Sequence, residues 1–510
     1  MRDYYRNMRA ALHNLGCKVN QYETDAMENM LREAGFEIVP FTEKADVYVI
    51  NTCSVTNMAD RKSRQMIHRV HKLNPEAAIV AAGCYVQTSE EQAKADEAID
   101  IIIGNNQKAK LVELLDKYFD EHPVDINAVN NSSAKGNSAN SNRVSDSSAK
   151  DNSANSNRAS DSSTNEDKLE SLIDIRNGDE PYEKLTLKHT SEHTRAFIKV
   201  QDGCNQFCTY CIIPYARGAV RSREISDVVE EVTGLARDGY KEVVITGIHL
   251  SSYGMTENYN SNPDNSDKFL ELVKAVHDID GIERIRFGSI EPQVVTDKLA
   301  RELASMPKIC PHFHLSLQSG CDETLKRMNR HYTAAEYKAG CDILRKYFHN
   351  PAITTDVIVG FPGETEEEFA ETKKYLEDIG FYEMHVFKYS KRHGTVAEKM
   401  PNQVPEQVKA TRSDELLKLE VRMSNDFRRL YEGAEVEALL ETPLDDDGDY
   451  ITGYTREYIR VAIETSVLIE KAESLGISPA KIADGNFSNI IVRGKIDKKL
   501  VGDTYKLLID

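Results

Sequence analysis

Short β-rich apolar runs alternate with amphipathic helical stretches from one end of the chain to the other. In the first part the runs are "MRAALHNLG", "ADVYVINTC", "AAIVAAGC" and "AIDIIIGN". Helical periodicity follows them near Tyr22 to Ala34, near Ala59 to Leu73, over Ser89 to Ala95 and once more at the end. Strands alternating with helices predict βα units, here an open parallel α/β sheet over 8–126. The beat resumes in "RAFIKVQDG", "KEVVITGIHL", "RIRFGSIEP", "HFHLSLQSG", "AITTDVIVGFPG" and "YEMHVFKYS". These are read as a partial TIM-type (β/α)6 barrel over 190–430, closed by a charged helix from near Glu406 to Leu430. The runs "EVEALLE", "YIRVAIE" and "NIIVRGKI", set between Gly- and Asp-containing turns, predict a small β-barrel over 431–510.

The segment 127–170 breaks this pattern. It is built of Ser, Asn, Ala, Lys and Asp, and "SSAKGNSANSNRVSD" recurs at once as "SSAKDNSANSNRASD". So few apolar residues cannot offset the entropy of ordering, and a disordered linker is expected.

Composition narrows the function. A chain of 510 residues with 40% apolar content supports several buried cores. No run reaches the roughly 18 to 20 apolar residues that span a bilayer, and the start "MRDYYRNMRA" has no signal-peptide core. A cytoplasmic protein without a membrane partner is expected. The formal charge of −19 argues against indiscriminate polyanion binding, so a nucleic acid would have to be met by local basic patches. Nine cysteines spread over so long a chain do not make a disulfide framework.

Three of those cysteines are crowded. Cys204, Cys208 and Cys211 form a C-x3-C-x2-C loop directly after the first barrel strand. Thiolates are the soft ligands favoured by iron–sulfur clusters and zinc. Structural zinc wants four protein ligands, and no Cys or His pair follows at finger spacing. A 4Fe-4S cluster held by three cysteines leaves one iron open to a small molecule. Cys17, Cys53 and Cys84 each leave a predicted strand, at the sheet edge where open α/β folds bind ligands; singly, each also reads as an ordinary buried cysteine.

The loop, with Tyr210 just before Cys211, resembles the signature of the radical S-adenosylmethionine (SAM) enzymes. The stretches "LGCKVNQYET", "VINTCSVTNMADRKSR" and "AAGCYVQ" resemble the amino-terminal domain of the methylthiotransferases of that superfamily. "HLSLQSGCDETLKRMNRHYT" and "DVIVGFPGET" extend the likeness through the barrel, and the terminal barrel is similar to the TRAM domain. "GCKVNQYE" and "NTCSVTNMADRKSR" look most like the branch acting on N6-threonylcarbamoyladenosine in tRNA. The branches acting on isopentenyladenosine or on ribosomal protein S12 are alternatives within the family. A non-catalytic iron–sulfur RNA-binding sensor is the alternative of another class, and it would not need ordered SAM-side strand ends.

The resemblance implies two 4Fe-4S clusters. Cys204, Cys208 and Cys211 would hold the one that cleaves SAM to a 5′-deoxyadenosyl radical. Cys17, Cys53 and Cys84 would hold the auxiliary, sulfur-delivering one. Two SAM molecules per turnover are implied: one methylates the sulfur, the other yields the radical that removes hydrogen from C2 of adenine. The methylthio group then joins that carbon, next to the tRNA anticodon. A reducing electron donor and a sulfur source would be partners alongside the anticodon stem-loop.

For SAM itself the candidates are the backbone of Tyr210 and the strand-end residues Gly247, Ser289, Gln318, Asp356 and Gly360, against a reading of each as a turn or packing residue. Arg217, Arg221 and Arg223 are candidates for a phosphate or the SAM carboxylate, or else solvated arginines. Arg61, Lys62, Arg64, Arg69 and Lys72 on one helix, and Lys326, Arg327, Arg330 and His331 on another segment, are candidate phosphate contacts or solvated faces. The segment from Tyr431 to Asp510 is more acidic than basic and includes "DDDGD", which departs from an RNA-gripping TRAM domain. Cys310, Cys321 and Cys341 lack ligand spacing and are read as bystanders.

Overall fold

The computed structural model describes residues 3–123, 171–172, 181–190, 194–255 and 266–509. The expected linker over 127–170 lies outside the described residues. Among those described, no helix is long and apolar enough to cross a membrane.

The first part is a parallel sheet of β1 (Arg9–Asn14), β2 (Glu37–Ile38), β3 (Val47–Thr52), β4 (Ala78–Gly83), β5 (Ile101–Ile103) and β6 (Ser171–Leu172), in the order β2-β1-β3-β4-β5-β6. Side chains of a strand alternate between faces, and both faces here are apolar. Val47, Val49, Val80 and Ala82 pack with Met27, Leu31, Leu111 and Leu115 of two helices. Tyr48, Ile50, Ile79 and Ala81 pack on the other side with Ile67 and Val70 of the helix Asn57–Leu73.

Two four-stranded sheets follow. One holds β7 (Arg195–Asp202), β8 (Arg221–Ser222), β9 (Glu242–Gly247) and β10 (Arg284–Phe287), ordered β10-β9-β7-β8. The other runs β11 (Ser289–Ile290), β12 (His312–Leu315), β13 (Ala352–Val359) and β14 (Glu383–Lys388) in chain order. β10 and β11 are one strand interrupted at Gly288, where a side chain would stand 2.9 Å from Thr246 Oγ1. With that strand counted once, β7, β9, β10/β11, β12, β13 and β14 are the six expected parallel strands.

Alternation sorts the residues of this partial barrel. Ile198, Ile245, Phe287, Leu315 and Val357 join the large core beneath the surrounding helices. Their neighbours on the opposite face, such as Lys199, Thr246, Arg286, His314 and Asp356, line a polar lumen.

The carboxy-terminal strands β15 (Glu435–Pro443), β16 (Tyr450–Thr455), β17 (Arg460–Glu464), β18 (Ile491–Val501) and β19 (Thr504–Leu508) close into a barrel ordered β15-β16-β17-β19-β18. Its turn after β16 plugs the amino-terminal end of the lumen. Arg286 donates to the carbonyls of Thr455 and Arg456 at 2.7 Å each. Arg284 donates to Glu437 at 3.0 Å and to the Tyr454 carbonyl at 2.9 Å. Arg195 pairs with Glu441 and lies 5.0 Å from the centre of the Tyr458 ring. Glu242 gathers all three guanidiniums, with nitrogens at 2.8 Å (Arg286), 3.2 Å (Arg195) and 3.6 Å (Arg284). Burial alone would raise its pKa, and the three arginines outweigh burial to hold it down.

Removing one member of a buried charge cluster leaves the others uncompensated, at a cost of about 3–5 kcal/mol. Glu242→Ala is therefore expected to lower the thermal midpoint of the full chain markedly, whereas Glu43→Ala, which breaks an exposed pair with Arg9, should shift it little. Scanning calorimetry of both variants checks this.

Candidate active site

The three-cysteine loop begins at Gly203, whose φ of 73° and neighbours permit no side chain, since a Cβ would stand 1.8 Å from the Ala219 carbonyl oxygen. The Cys204 N–H donates to Gly218 O at 3.0 Å, and the Cys211 N–H to Cys208 O at 2.9 Å. The segment after the helix Asp322–Arg327 clamps the loop from outside. Thr209 donates through N–H to Met328 O (3.0 Å) and through its hydroxyl to Arg327 O (2.9 Å), and the Asn329 amide donates to Phe207 O (3.1 Å). Phe207 itself adopts a left-handed φ of 48°. Burial pushes the Cys211 thiol up to about 12 and raises that of Cys204 further. Arg330 donates to Cys208 Sγ at 3.3 Å and pairs with Glu291 at 2.8 Å.

Cys17, Cys53 and Cys84 stand at or just beyond the ends of β1, β3 and β4. Gly83 precedes Cys84 with φ 97°, where a Cβ would meet Asn51 Oδ1 at 2.6 Å. Cys17 Sγ donates to Asn20 Oδ1 at 3.5 Å, and Asn105 Nδ2 donates to Cys84 Sγ at 3.5 Å. Burial raises the Cys53 thiol to about 11, with Cys84 and Cys17 acting in the same sense. The Cys17 thiol is likewise pushed up by burial, and the residue is open to solvent. The helix Cys84–Thr88 packs against the helix Ile213–Arg217 that follows the three-cysteine loop, so the two cysteine sets lie on adjoining parts of the two domains.

A single zinc ion would draw its sulfurs to about 2.3 Å from one centre. Among the described residues, the group of three ligating side chains with atoms within 4.8 Å of one another is His314, Asp356 and His385, and neither cysteine triad is that tight.

Behind the triads lies a dry ionic network. Arg217, fully buried, donates to Glu23 (2.7 and 3.1 Å), Asp202 (3.2 Å) and Asn20 Oδ1 (2.8 Å). Lys199 reaches Asp202 at 2.6 Å and Glu23 at 2.7 Å, and Lys108 reaches Glu23 at 3.0 Å. The Asn105 amide that touches Cys84 also donates to Ala216 O at 2.8 Å. Arg221 is buried against the Arg217 carbonyl (2.8 Å), and Arg223 pairs with Glu231 and donates to the Asp227 carbonyl. The solvated reading of these three arginines does not hold: all are buried and donate to internal acids and carbonyls, while Nε of Arg217 and of Arg221 has no partner among the described residues.

The SAM candidates Gly247, Ser289, Gln318 and Gly360 lie at strand carboxyl ends, and Tyr210 packs edge-on to Phe361 with ring centres 6.2 Å apart. Gln318 takes a left-handed φ of 77° while its N–H donates to Asp356 O at 2.8 Å, the kind of strained, over-determined backbone that gathers at functional sites. Asp356 sits further down β13, its carboxylate 3.3 Å from His314 Nε2. Glu291 was not singled out from the motif "SIEP". It bridges Arg330 and His249 (3.1 Å), and although burial opposes ionisation, Arg330 above all and the hydrogen-bonded His249 bring its pKa down to about 2. Its strand-end position was the available signal.

The basic patches separate. Arg61, Lys62, Arg64, Arg69 and Lys72 are exposed on the helix Asn57–Leu73, with no ion pair among the described residues. Lys326 and His331 are exposed, but Arg327 is tied to Glu368 (2.9 Å) and Arg330 to Glu291, which removes Arg330 from the surface patch. Cys310, Cys321 and Cys341 are buried and have no other cysteine among their electrostatic neighbours.

A parallel partial barrel with three thiols in the loop after its first strand defines the class, and the family described as "Radical SAM superfamily" matches residues 198–376. "Uncharacterized protein family UPF0004" matches residues 9–104. The chain is 37% identical over 94% of its length to "Threonylcarbamoyladenosine tRNA methylthiotransferase MtaB" of Bacillus subtilis, covering 96% of that protein. Identity to the protein of the same name from Aquifex aeolicus is 37% over 85% of this chain and 93% of that one. A "tRNA-2-methylthio-N(6)-dimethylallyladenosine synthase" of Thermoanaerobacter is 32% identical over 88% and 86%. The chain belongs to the radical-SAM methylthiotransferase family.

The buried network carries a pH prediction. Burial raises the pKa of Glu23 and Asp202, but Arg217, Lys199 and their neighbours overcome it and hold both well below the carboxylate range. Depressed carboxylates stabilise the fold above the unfolded pKa of about 4, and that stability is lost as pH falls through the folded values. Arg217→Met should remove this contribution, moving the acid limb of thermal stability to higher pH and costing about 3–5 kcal/mol at neutrality. Melting curves of both proteins between pH 3 and pH 8 test it, those limits spanning roughly the carboxylate range.

Proposed function

We propose that this protein adds a methylthio group to C2 of N6-threonylcarbamoyladenosine beside the anticodon of tRNA. The packing of the helix that begins at Cys84 against the helix that follows the three-cysteine loop carries the reading, because the chemistry needs a radical source and a sulfur source within reach of one carbon. The named activity of the relatives at 37% identity supports the substrate. Cys204, Cys208 and Cys211 are proposed to hold one 4Fe-4S cluster and Cys17, Cys53 and Cys84 the other. When bound, the clusters and two SAM molecules supply the radical that takes hydrogen from C2, and the sulfur and methyl that replace it.

The chain's own residues do the holding. The backbone of Tyr210 with Gly247, Ser289, Gln318 and Gly360 is proposed to seat SAM at the strand ends, with Asp356 at the lower margin. Arg330 donates to Cys208 and orients that thiolate, and Glu291 fixes Arg330. The exposed rings of Phe207 and Tyr215 stand edge-to-face, 6.1 Å apart, on the cysteine loop and offer a stacking surface for bases of the anticodon loop. The unpaired cations of the helix Asn57–Leu73 are proposed to meet phosphates, and the terminal barrel to act as a TRAM-like module. An electron donor, a sulfur source and a cytoplasmic location complete the reading.

Mass spectrometry of tRNA nucleosides tests it. Deleting the gene should remove 2-methylthio-N6-threonylcarbamoyladenosine, and the intact gene but not Cys204→Ala should restore it. An unchanged nucleoside profile sinks the substrate assignment. In purified protein, Cys204→Ala should abolish SAM cleavage, whereas Cys17→Ala should cleave SAM without inserting sulfur.

Phosphate contacts are checked separately. Replacing Arg61, Arg64 and Lys72 together by Gln should weaken stem-loop binding and flatten the salt dependence by up to about 2–3 units of log–log slope.

A further inference from the structure

Three side chains able to ligate a metal meet on the inner wall of the partial barrel, on elements that carry none of the six clustered cysteines. Along β12, β13 and β14 the residues Phe313, Leu315, Val357 and Met384 pack into the core beneath the helices, so their alternates His314, Asp356 and His385 project into the lumen. The parallel register sets Asp356 opposite His385, and His314 opposite Thr354, two residues before Asp356. One ligating atom from each of the three lies within 4.8 Å of the other two.

The contacts of His314 prepare it as a ligand. Its Nδ1 stands 2.9 Å from the Thr354 hydroxyl and its Nε2 stands 3.3 Å from the Asp356 carboxylate. With Nδ1–H donating to Thr354, the bare Nε2 and the carboxylate are two acceptors facing each other, and a cation belongs between them. A proton would serve that pair alone. His385 adds a second imidazole, its ring inclined by only 24° to that of His314 with centres 5.8 Å apart, and a metal ion takes all three donors. His314 is buried whereas His385 is exposed, so the group is shielded on the wall side and open toward the lumen.

We propose that His314, Asp356 and His385 form a binding site for a divalent transition metal, with Thr354 fixing the tautomer of His314. Two imidazoles and a carboxylate are a donor set that suits zinc or non-haem iron, and without a thiolate it is chemically distinct from both cysteine sets. The inference goes beyond the proposed reaction, in which cysteines on other elements hold the clusters. Three protein ligands leave a coordination position for water or for an oxygen of a molecule entering the lumen. One oxygen of Asp356 is enough for the metal, so the residue keeps its place at the lower margin of the proposed SAM seat.

The test is zinc binding by the full-length, cluster-loaded protein, kept anaerobic so that iron occupies the cysteine sets. After dialysis against buffered Zn²⁺, elemental analysis should find one more zinc per chain in the wild type than in His385→Gln, with iron and sulfide equal in the two. Absorption at the zinc edge should show a nitrogen and oxygen shell at about 2.0–2.2 Å and no sulfur. His385→Cys should keep the zinc and add a sulfur at about 2.3 Å, a change that neither misfolding nor surface binding would produce. Thr354→Val, which removes the acceptor behind His314, should weaken zinc binding about tenfold to a hundredfold. Equal zinc in the wild type and His385→Gln would assign the metal to the outer surface and overturn the proposal. Sulfur neighbours in the wild-type spectrum would overturn it too, by placing zinc in a vacated cysteine set. None of these readouts passes through tRNA, so they stand or fall apart from the proposed substrate.

Discussion

Everything near the proposed chemistry depends on the buried contact between Arg217 and the carboxylates of Glu23 and Asp202. Glu23 belongs to the amino-terminal sheet domain, Asp202 ends the first barrel strand, and Arg217 closes the helix after the cysteine loop. Each charge costs several kcal/mol to desolvate; Asp202 is offset by Lys199 and Arg217 of its own domain and Glu23 by Lys108 of its own, and Glu23 is further paired with Arg217 and Lys199 across the domain boundary. The two domains therefore have one acceptable docking register. Because Asn20 and Asn105 link the same network to Cys17 and Cys84, that register also fixes how the two cysteine sets adjoin. An apolar interface of equal area would tolerate sliding; this one does not.

The same device recurs at the other end of the barrel. Three arginines around Glu242 would be untenable in an open lumen, and the carboxy-terminal barrel supplies the carbonyls, carboxylates and aromatic faces that complete them. These donors fix its position together with apolar contacts such as those of Ala352 and Tyr382 with the terminal barrel's core. Closing the floor of the lumen also limits approach to the strand-end side, where SAM and a base would enter.

Some local detail was readable only in part. The helix after β1 begins at Lys18 rather than near Tyr22, because Cys17 occupies the cap position without the side-chain oxygen that marks a helix start. The arginines of "ARGAVRSR" look alike as text, and only packing shows that Arg217 is interior and paired with Glu23 and Asp202. Arg330 falls in a basic string, yet the fold turns it inward to a cysteine and Glu291, since the intervening Asn329 adopts a left-handed φ of 56°.

By itself the sequence determined what repeats or clusters along the chain: the β/α beat, the three-thiol loop and the three thiols at strand exits. Period and spacing are local, so they survive without coordinates. The tertiary structure alone decided which charges meet and which of them are neutralised. Pairing across nearly two hundred residues, as between Glu23 and Arg217, leaves no periodic trace, because it is enforced by the cost of burying charge and not by any rule of neighbouring residues.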